Sequence, residues 1–282
     1  MLVFPKAKIN LGLRITGKRS DGYHDIETVL YPVNLCDALE LVEIADSKWV
    51  AMDSLTLTGF ELPGRKEDNI VLRAVRRLRE NFPIPFLRIH LHKSIPSGAG
   101  LGGGSSDAAF LLRAVNRIFG LALNGDELKT IAAGLGSDCP FFIDCKPSFA
   151  SGKGEILSPL GDLLAGCYAV LVNPRIPVST MEAYKDCTPS KPDNHLQEII
   201  NHPVSEWKDL IVNDFEKTVF LIHPQIKEIK QILYSSGAIF SSMSGSGSTV
   251  YGIFYEKPEI PVNLRKNVIF EGILYPILAT GK

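Results

Sequence analysis

The chain has 282 residues, of which 45% are hydrophobic and 22% charged, and its 30 basic residues nearly balance 31 acidic ones. This composition is typical of a globular protein, and it argues against a disordered chain or a strongly basic nucleic-acid-binding protein. There is no run of eighteen apolar residues, no signal-peptide pattern at the start, and no Cys-x-x-Cys pair among the five cysteines. We therefore predict a reduced, cytoplasmic protein without a membrane span, a disulfide framework or a zinc ribbon.

Most of the first third of the chain is predicted to form β-strands. Apolar residues alternate loosely over 7–16, and a polar turn follows at 17–22. Apolar runs bounded by turn residues predict further strands, early and late in the chain, over 26–35, 38–44, 55–57, 86–95, 238–241 and 249–255.

Three helices are predicted in the first half of the chain. After Asp68, apolar residues with helical spacing mark one face of the first helix: Ile70, Val71, Ala74, Val75 and Leu78. The second is expected to run to Phe119, with Ser105 or Ser106 as its N-cap. The third covers 125–135.

The strongest local signal is a glycine-rich loop between the strand over 86–95 and the second helix. Five of its eleven residues are glycine, which lets the backbone turn several N–H groups toward one anion, beside the positive end of the helix. A polyphosphate is the expected ligand, and a glycine-rich turn without a ligand is the alternative. The loop residues are Pro96, Ser97, Gly98, Ala99, Gly100, Leu101, Gly102, Gly103, Gly104, Ser105 and Ser106.

Three familiar phosphate loops do not fit this segment. A P-loop requires a lysine after its last glycine, but Ser105 follows Gly104. A dinucleotide-binding loop should lead to a second strand that ends in an acidic residue, whereas here a second helix follows. A protein-kinase loop should be followed by His-Arg-Asp and Asp-Phe-Gly, and neither occurs.

The loop, PSGAGLGGGSS, instead resembles motif 2 of the GHMP kinases. The segment PKAKINLGLRI (5–15) is similar to motif 1 of that family, and MSGSGSTVYGIF (243–254) to motif 3, which is expected to pack beside the loop. Each motif alone is weak, but the three in this order are specific. The resemblance implies an ATP-dependent kinase that acts on a small-molecule hydroxyl group, with Mg²⁺ bound to the ATP.

The same resemblance implies an α+β fold. Its N-terminal domain would resemble ribosomal protein S5 domain 2, and its C-terminal domain would be ferredoxin-like. Because the composition changes to proline-rich links near Pro159, we predict domains over 1–158 and 159–282. The oligomeric state is expected to be a monomer or a homodimer.

Within the family, the segment RSDGYH (19–24), the GLGGGSSDAA loop and GSDCPFF (136–142) are similar to the branch that acts on 4-diphosphocytidyl-2-C-methyl-D-erythritol. That branch phosphorylates the 2-hydroxyl group of this substrate in the non-mevalonate route to isoprenoids. The resemblance therefore implies a substrate with a cytidine diphosphate moiety.

The resemblance also assigns roles to single residues. It makes Asp138 the base that accepts the hydroxyl proton, with Lys8 beside it to keep the carboxylate ionised and to stabilise the transferring phosphoryl group. Without the family pattern, Asp138 would read as a loop or helix-cap aspartate within the predicted loop SDCPFF. Lys8 would read as a strand-edge surface lysine.

Substrate binding is assigned to four residues: Asn10, Tyr23, His24 and Tyr184. Tyr23 would stack on the cytosine, His24 would bond its edge, and Tyr184 would cover the other face. Asn10 would bond the substrate near the reacting hydroxyl group. No metal ligand is predicted beyond a serine hydroxyl, of Ser105 or Ser106, that reaches Mg²⁺ or a phosphate oxygen.

Two alternative functions remain open at this level. One is another GHMP kinase that acts on homoserine, mevalonate or a sugar, which the RSDGYH segment disfavours. The other is a catalytically inactive ATP-binding regulator of the same fold, which the retention of Lys8, Asp138 and all three motifs disfavours.

Overall fold

The computed structural model describes residues 1–44, 52–185, 187–190 and 195–274. The strands are β1 (Leu2–Val3), β2 (Lys6–Lys18), β3 (His24–Cys36), β4 (Ala38–Glu43), β5 (Ser54–Gly59), β6 (Leu87–Lys93), β7 (Ser148–Ser151), β8 (Ile156–Pro159), β9 (Tyr168–Val172), β10 (Phe240–Met243), β11 (Val250–Phe254) and β12 (Val268–Ile273). The α-helices are α1 (Ile70–Arg79), α2 (Gly103–Ile118), α3 (Gly125–Ala133), α4 (Cys139–Asp144), α5 (Thr180–Tyr184), α6 (Leu196–Ile199), α7 (Trp207–Leu210), α8 (Phe215–Ile222), α9 (Pro224–Ser235) and α10 (Val262–Arg265). Short 3₁₀ turns lie at Lys66–Asp68 and Val204–Glu206.

The chain divides into two compact units, each assembled from separate stretches. The first unit consists of Met1–Ala7, Asn34–Ser97 and Gly102–Cys145, and the second of Lys8–Val33, Gly98–Leu101 and Lys146–Lys282. The predicted division at 158 and 159 follows the chain order alone, and it stays a prediction.

The first unit contains a sheet with the strand order β1-β4-β6-β5, in which only β5 runs parallel to its neighbour. On β6 the buried residues alternate with more exposed ones, so that Leu87, Ile89, Leu91 and Lys93 share the inward face. Helix α2 buries Ala108, Leu111, Leu112 and Val115, at the spacing of one helical face, and packs on α1 and α4.

The second unit contains an antiparallel sheet with the order β10-β11-β9-β12, and another sheet with the order β2-β3-β7-β8. Its core gathers apolar residues from the two sheets and from α8 and α9. Representative members are Leu13, Val170, Phe215, Ile229 and Val250. The long strand β2 therefore has its apolar side chains anchored in this core, which places Lys8 and Asn10 at fixed positions on it.

The predicted strands and helices of the first half are confirmed, with ends that shift by one to a few residues. Five of the described strands were not predicted: β1, β7, β8, β9 and β12. The central strand β9, YAVLV, is flanked by β11 and β12, and four of its five residues are buried, so it lacks the alternation by which strands are recognised. Among the described residues, no helix combines the length and the apolar character needed to cross a membrane.

Candidate active site

The glycine-rich loop passes through the left-handed region of backbone conformation three times. The φ angle is +63° at Gly98, +74° at Gly100 and +69° at Gly102. Residues with a Cβ atom rarely adopt these angles, so the loop needs glycine at each of the three positions. Alternation of this kind is the geometry by which successive N–H groups form an anion-binding concavity.

Three consecutive carbonyl groups of the loop accept hydrogen bonds within the second unit. Lys8 N donates to Leu101 O over 3.0 Å, Lys8 Nζ to Gly100 O over 2.9 Å, and Thr249 N to Ala99 O over 3.4 Å. The C=O and N–H groups of a trans peptide point in opposite directions, so the N–H groups of these peptide units point away from the donors. The loop tip is thus held by its carbonyl groups, with its amide groups turned the other way.

Lys8 and Asn10 are both buried, with 4% and 3% of their surface exposed, and their side chains lie on the same face of β2. Lys8 Nζ donates to Asn10 Oδ1 over 2.6 Å, and Asn10 Nδ2 donates to Thr28 Oγ1 over 2.9 Å. The Thr28 hydroxyl in turn donates to Gly12 O. These bonds set the orientation of the Asn10 amide, and they exclude the surface-lysine interpretation of Lys8.

The second glycine-serine turn lies against the loop tip, as predicted for motif 3. Ser244 Oγ donates to Gly100 O over 2.7 Å and accepts a bond from Asn10 N over 3.2 Å. Asn213 stabilises the turn, because its Nδ2 donates hydrogen bonds to Met243 O and Gly245 O. A Cβ atom on Gly100 would lie only 1.8 Å from Ser244 O, so the contact between the two loops also requires glycine.

In the first unit, Asp138 directly precedes helix α4 and is half-buried. The predicted loop over 137–142 is wrong in part, because α4 begins at Cys139 with Pro140 in its first turn, a position that proline favours. Asp138 stands at the N-cap position of α4, as the helix-cap interpretation has it, but its side chain makes no capping bond to the helix.

The start of α2 lies beside the segment that carries Asp138. Cys139 Sγ and Ser105 Oγ lie 3.3 and 3.8 Å from the position of a Cβ atom on Gly136. Burial raises the pKa of Cys139 to about 11, although the Ser105 hydroxyl opposes that shift, so this cysteine remains a packed thiol. Asp138 therefore lies between Gly136 and Cys139, which are both close to the first turn of α2.

The prediction that Ser105 or Ser106 caps helix α2 is wrong. The helix starts at Gly103 and its N-cap is Gly102, whose positive φ angle makes the turn from the loop into the helix. Ser106 is fully buried, and its hydroxyl has no hydrogen-bond partner among the described residues. Ser105 is half-buried, so of the two it is the residue whose side chain reaches the surface.

Of the aromatic residues assigned to the substrate, His24 and Tyr184 contact each other in the second unit, and Tyr23 lies apart from that pair. The rings of His24 and Tyr184 are stacked, with centroids 4.6 Å apart and planes at 19°, and Tyr184 also packs edge-on against Phe215. Tyr23 is 61% exposed, and Lys153 Nζ lies 4.9 Å from the centroid of its ring. The ring that Tyr184 faces in this structure is thus His24, and Tyr23 presents a separate aromatic surface.

Sequence reasoning did not identify the polar side chains that support the site. Thr28, Asn213 and Ser244 each bond a site residue or a motif turn, and they lie 18 to 234 residues from their partners. Ser244 had a signal, since it stands within motif 3. Thr28 and Asn213 had none, because nothing local distinguishes an inward-facing polar residue on a strand or before a helix.

The comparisons with known proteins place the chain in a family. It matches the models of the GHMP kinases N terminal domain over residues 69–145 and of the GHMP kinases C terminal domain over 196–267. A 4-diphosphocytidyl-2-C-methyl-D-erythritol kinase of Bacteroides fragilis is 52% identical over 260 residues, which cover 92% of this chain and 94% of that protein.

Solved structures agree with this assignment. The crystal structure of a 4-(cytidine 5'-diphospho)-2C-methyl-D-erythritol kinase superimposes with a TM-score of 0.75 at 32% identity, over 90% of each chain. Mevalonate kinase of Methanococcus jannaschii, at 14% identity and a TM-score of 0.61 over 94% of this chain and 92% of that one, shares the fold. The predicted α+β fold of the GHMP kinases is confirmed, and the chain belongs to the 4-diphosphocytidyl-2-C-methyl-D-erythritol kinase family of GHMP kinases.

Proposed function

We propose that the protein transfers the γ-phosphoryl group of ATP to the 2-hydroxyl group of 4-diphosphocytidyl-2-C-methyl-D-erythritol, in the non-mevalonate route to isoprenoid precursors. The observation that carries the proposal is the 52% identity with a kinase of that name along almost the whole chain. The preformed phosphate loop supports it, because three left-handed glycines and three bonded carbonyl groups present the N–H groups of the loop on one side.

The loop from Pro96 to Ser106 binds the phosphates of ATP. Lys8 brings a buried positive charge to the loop at Gly100, where it offsets the negative charge that spreads over the transferring phosphoryl group. Asn10 holds the Lys8 ammonium with its side-chain oxygen, and it is the substrate-binding residue nearest to this charge.

Asp138 accepts the proton of the substrate hydroxyl group as the oxygen attacks phosphorus. A carboxylate in this role must be held in place and must not be occupied with capping a helix. Asp138 meets both conditions, since Pro140 and Cys139 fix the start of α4 and the Asp138 side chain makes no cap bond.

Mg²⁺ would be supplied with ATP and would offset the negative charge of its phosphates. This ion prefers oxygen ligands and usually takes only one or two from the protein. The half-buried Ser105 hydroxyl, in the first turn of α2, fits that requirement and is our choice for a protein ligand.

The cytidine moiety is recognised by Tyr23, His24 and Tyr184. Tyr23 offers an exposed ring on which a base can stack, and His24 and Tyr184 form a stacked pair that offers a ring edge and a face. Lys153 beside Tyr23 adds positive charge near an anionic diphosphate.

Replacing Tyr23 with alanine is expected to raise the KM for the cytidine substrate about 10- to 100-fold, because base–aromatic stacking contributes roughly 1–3 kcal/mol per base. The KM for ATP should change little, since the proposed role of Tyr23 is with the cytidine moiety alone. Tyr255→Ala is the matched control, because Tyr255 is 63% exposed against 61% for Tyr23. Equal effects of the two substitutions on the substrate KM would contradict a stacking role for Tyr23.

The function itself is tested by measuring ADP release from Mg-ATP with a panel of acceptors. We expect turnover with 4-diphosphocytidyl-2-C-methyl-D-erythritol and none above background with homoserine, mevalonate or galactose. Turnover with one of the latter alone would make the protein a different GHMP kinase. ATP binding without turnover of any alcohol would make it an inactive homologue.

A further inference from the structure

Three charged side chains are buried together in the first unit, and the proposed reaction makes no use of them. Asp37, Lys93 and Asp107 are each at most 2% exposed. Lys93 Nζ donates one hydrogen bond to Asp37 Oδ2 and another, of 2.6 Å, to Asp107 Oδ2. A buried ammonium group costs several kcal/mol of desolvation unless it is paired and bonded in this way.

Lys93 occupies a position where the strand pattern calls for an apolar residue. It is the last residue of β6 and follows Leu87, Ile89 and Leu91 on the inward face of that strand. An apolar side chain there would avoid the cost of burying charged groups. The triad of Asp37, Lys93 and Asp107 therefore needs an explanation other than stability.

The triad joins the two ends of the phosphate loop. At the entry, Asp37 Oδ1 accepts hydrogen bonds from Ser94 N over 2.6 Å and from Ile95 N over 2.8 Å, immediately before Pro96. At the exit, Asp107 is in the second turn of α2, the helix that begins where the loop ends.

The two ends are packed tightly as well as bonded. A Cβ atom on Gly103, the first residue of α2, would lie 3.3 Å from Lys93 Nζ and 2.9 Å from Ile95 Cγ2. Gly103 does not have a positive φ angle, so glycine is required here by the close approach of Lys93 and Ile95. The distance between the two ends of the loop is thus fixed where Gly103 packs against Lys93 and Ile95.

We propose that Lys93 is a positioning residue for ATP, which holds the entry of the phosphate loop through Asp37 and its exit through Asp107. The inference rests on the proposed function, since it assigns the loop to ATP phosphates. A loop that contains five glycines loses much conformational entropy when it becomes ordered around a ligand. Fixing both ends before binding removes part of that loss, and this raises affinity by preorganisation.

Substitutions of Asp107 can distinguish the loss of its link to Lys93 from the loss of its charge. Burial raises the pKa of Asp107 to about 8, an effect that Lys93 opposes and Asp37 reinforces. Its Oδ1 atom has no hydrogen-bond partner among the described residues. Asparagine has the shape of the protonated acid and keeps an oxygen acceptor for Lys93, whereas alanine removes the link to the exit and leaves the pair of Lys93 and Asp37 intact.

The test compares Asp107→Asn with Asp107→Ala by calorimetric binding of a non-hydrolysable ATP analogue with Mg²⁺, in the absence of the acceptor. We expect the affinity of Asp107→Asn to stay within about threefold of the wild type, and that of Asp107→Ala to fall at least tenfold. In steady-state assays of Asp107→Ala, the KM for ATP should rise by the same factor while the acceptor KM stays within twofold. Hydrogen exchange should become faster at the amides of residues 97–106.

Val115→Ala is the matched control for lost stability, because Val115 is fully buried on the same helix, about two turns after Asp107. It should lower the melting temperature without changing the affinity for the analogue. An unchanged affinity in Asp107→Ala, or an equal loss in Val115→Ala, would overturn the positioning role. Because the analogue is bound without an acceptor, wild-type binding without turnover would contradict the proposed reaction and leave the test of Lys93 intact.

Discussion

Replacing Asp138 with asparagine is expected to lower kcat by about two to four orders of magnitude, the range typical of removing a positioned general base. Asparagine has the same shape but cannot accept the proton of the attacking hydroxyl group at neutral pH. The start of α4 should be unaffected, because Asp138 makes no cap bond to that helix and its fold depends on Pro140 and on the buried Phe141 and Phe142. The affinity for an ATP analogue should therefore remain close to that of the wild type.

Asp126→Asn provides the matched control for this substitution. Asp126 lies in the first turn of α3, also in the first unit, and its side chain is 97% exposed. Rate constants for ADP release and calorimetric binding of the analogue, measured for both variants, separate chemistry from binding. A kcat of Asp138→Asn within tenfold of the wild type would exclude Asp138 as the base and would require another acceptor for the proton.

Gly100→Ala is expected to weaken ATP binding severely, with a rise in the KM for ATP of at least about 100-fold. The new Cβ atom would meet Ser244 O at 1.8 Å, and a backbone atom cannot move aside as the end of a side chain can. The φ angle of +74° adds strain of about 1–2 kcal/mol for a residue with a Cβ atom. The tip of the loop must therefore shift away from Ser244, and the hydrogen bonds that Lys8 and Ser244 donate to Gly100 O would be lost.

The control for backbone strain alone is Gly237→Ala. Gly237 has a φ angle of +92° after helix α9, and a Cβ atom there would meet nothing within 4 Å. It should lower the melting temperature by a few degrees, as about 1 kcal/mol does in a protein of this size, and leave ATP binding unchanged. Circular dichroism at 25 °C identifies a Gly100→Ala protein that remains folded. A folded variant with wild-type ATP affinity would refute the contact between the loop and Ser244 as a requirement for binding.

The family and the reaction class follow from the sequence because both depend on short, ordered motifs. A loop with five glycines in eleven residues has few structural uses, and the order of three motifs along the chain makes the assignment specific. Helices such as α1 and α2 were also predictable, since their apolar residues recur with a helical period and each buries one face. The strand β9 was not, since a strand buried on both faces has no alternation to recognise.

The roles of individual residues depended on contacts between distant parts of the chain. The glycine count of the loop was visible in the sequence, but only the folded structure shows that Gly100 is required by Ser244 O, and Gly103 by Lys93 and Ile95. The cap of α2 was misassigned to serine because serine is a common N-cap, whereas the turn into this helix needs a positive φ angle and therefore Gly102. The stacking of His24 on Tyr184 likewise joins residues that are far apart in the sequence.

The sequence by itself determined the kinase family, and its resemblance to that family made the glycine-rich loop, Lys8 and Asp138 candidates for the site, because the family motifs are short and local. Only the tertiary structure decided which groups surround the individual side chains. Asn10 and Gly100 bond Lys8, Ser105 and Cys139 lie near Asp138, and Asp37 and Asp107 bond Lys93. The physical reason is that a buried polar group must find a partner wherever the fold provides one. Lys93 and Asp37 are 56 residues apart, and no local pattern joins them.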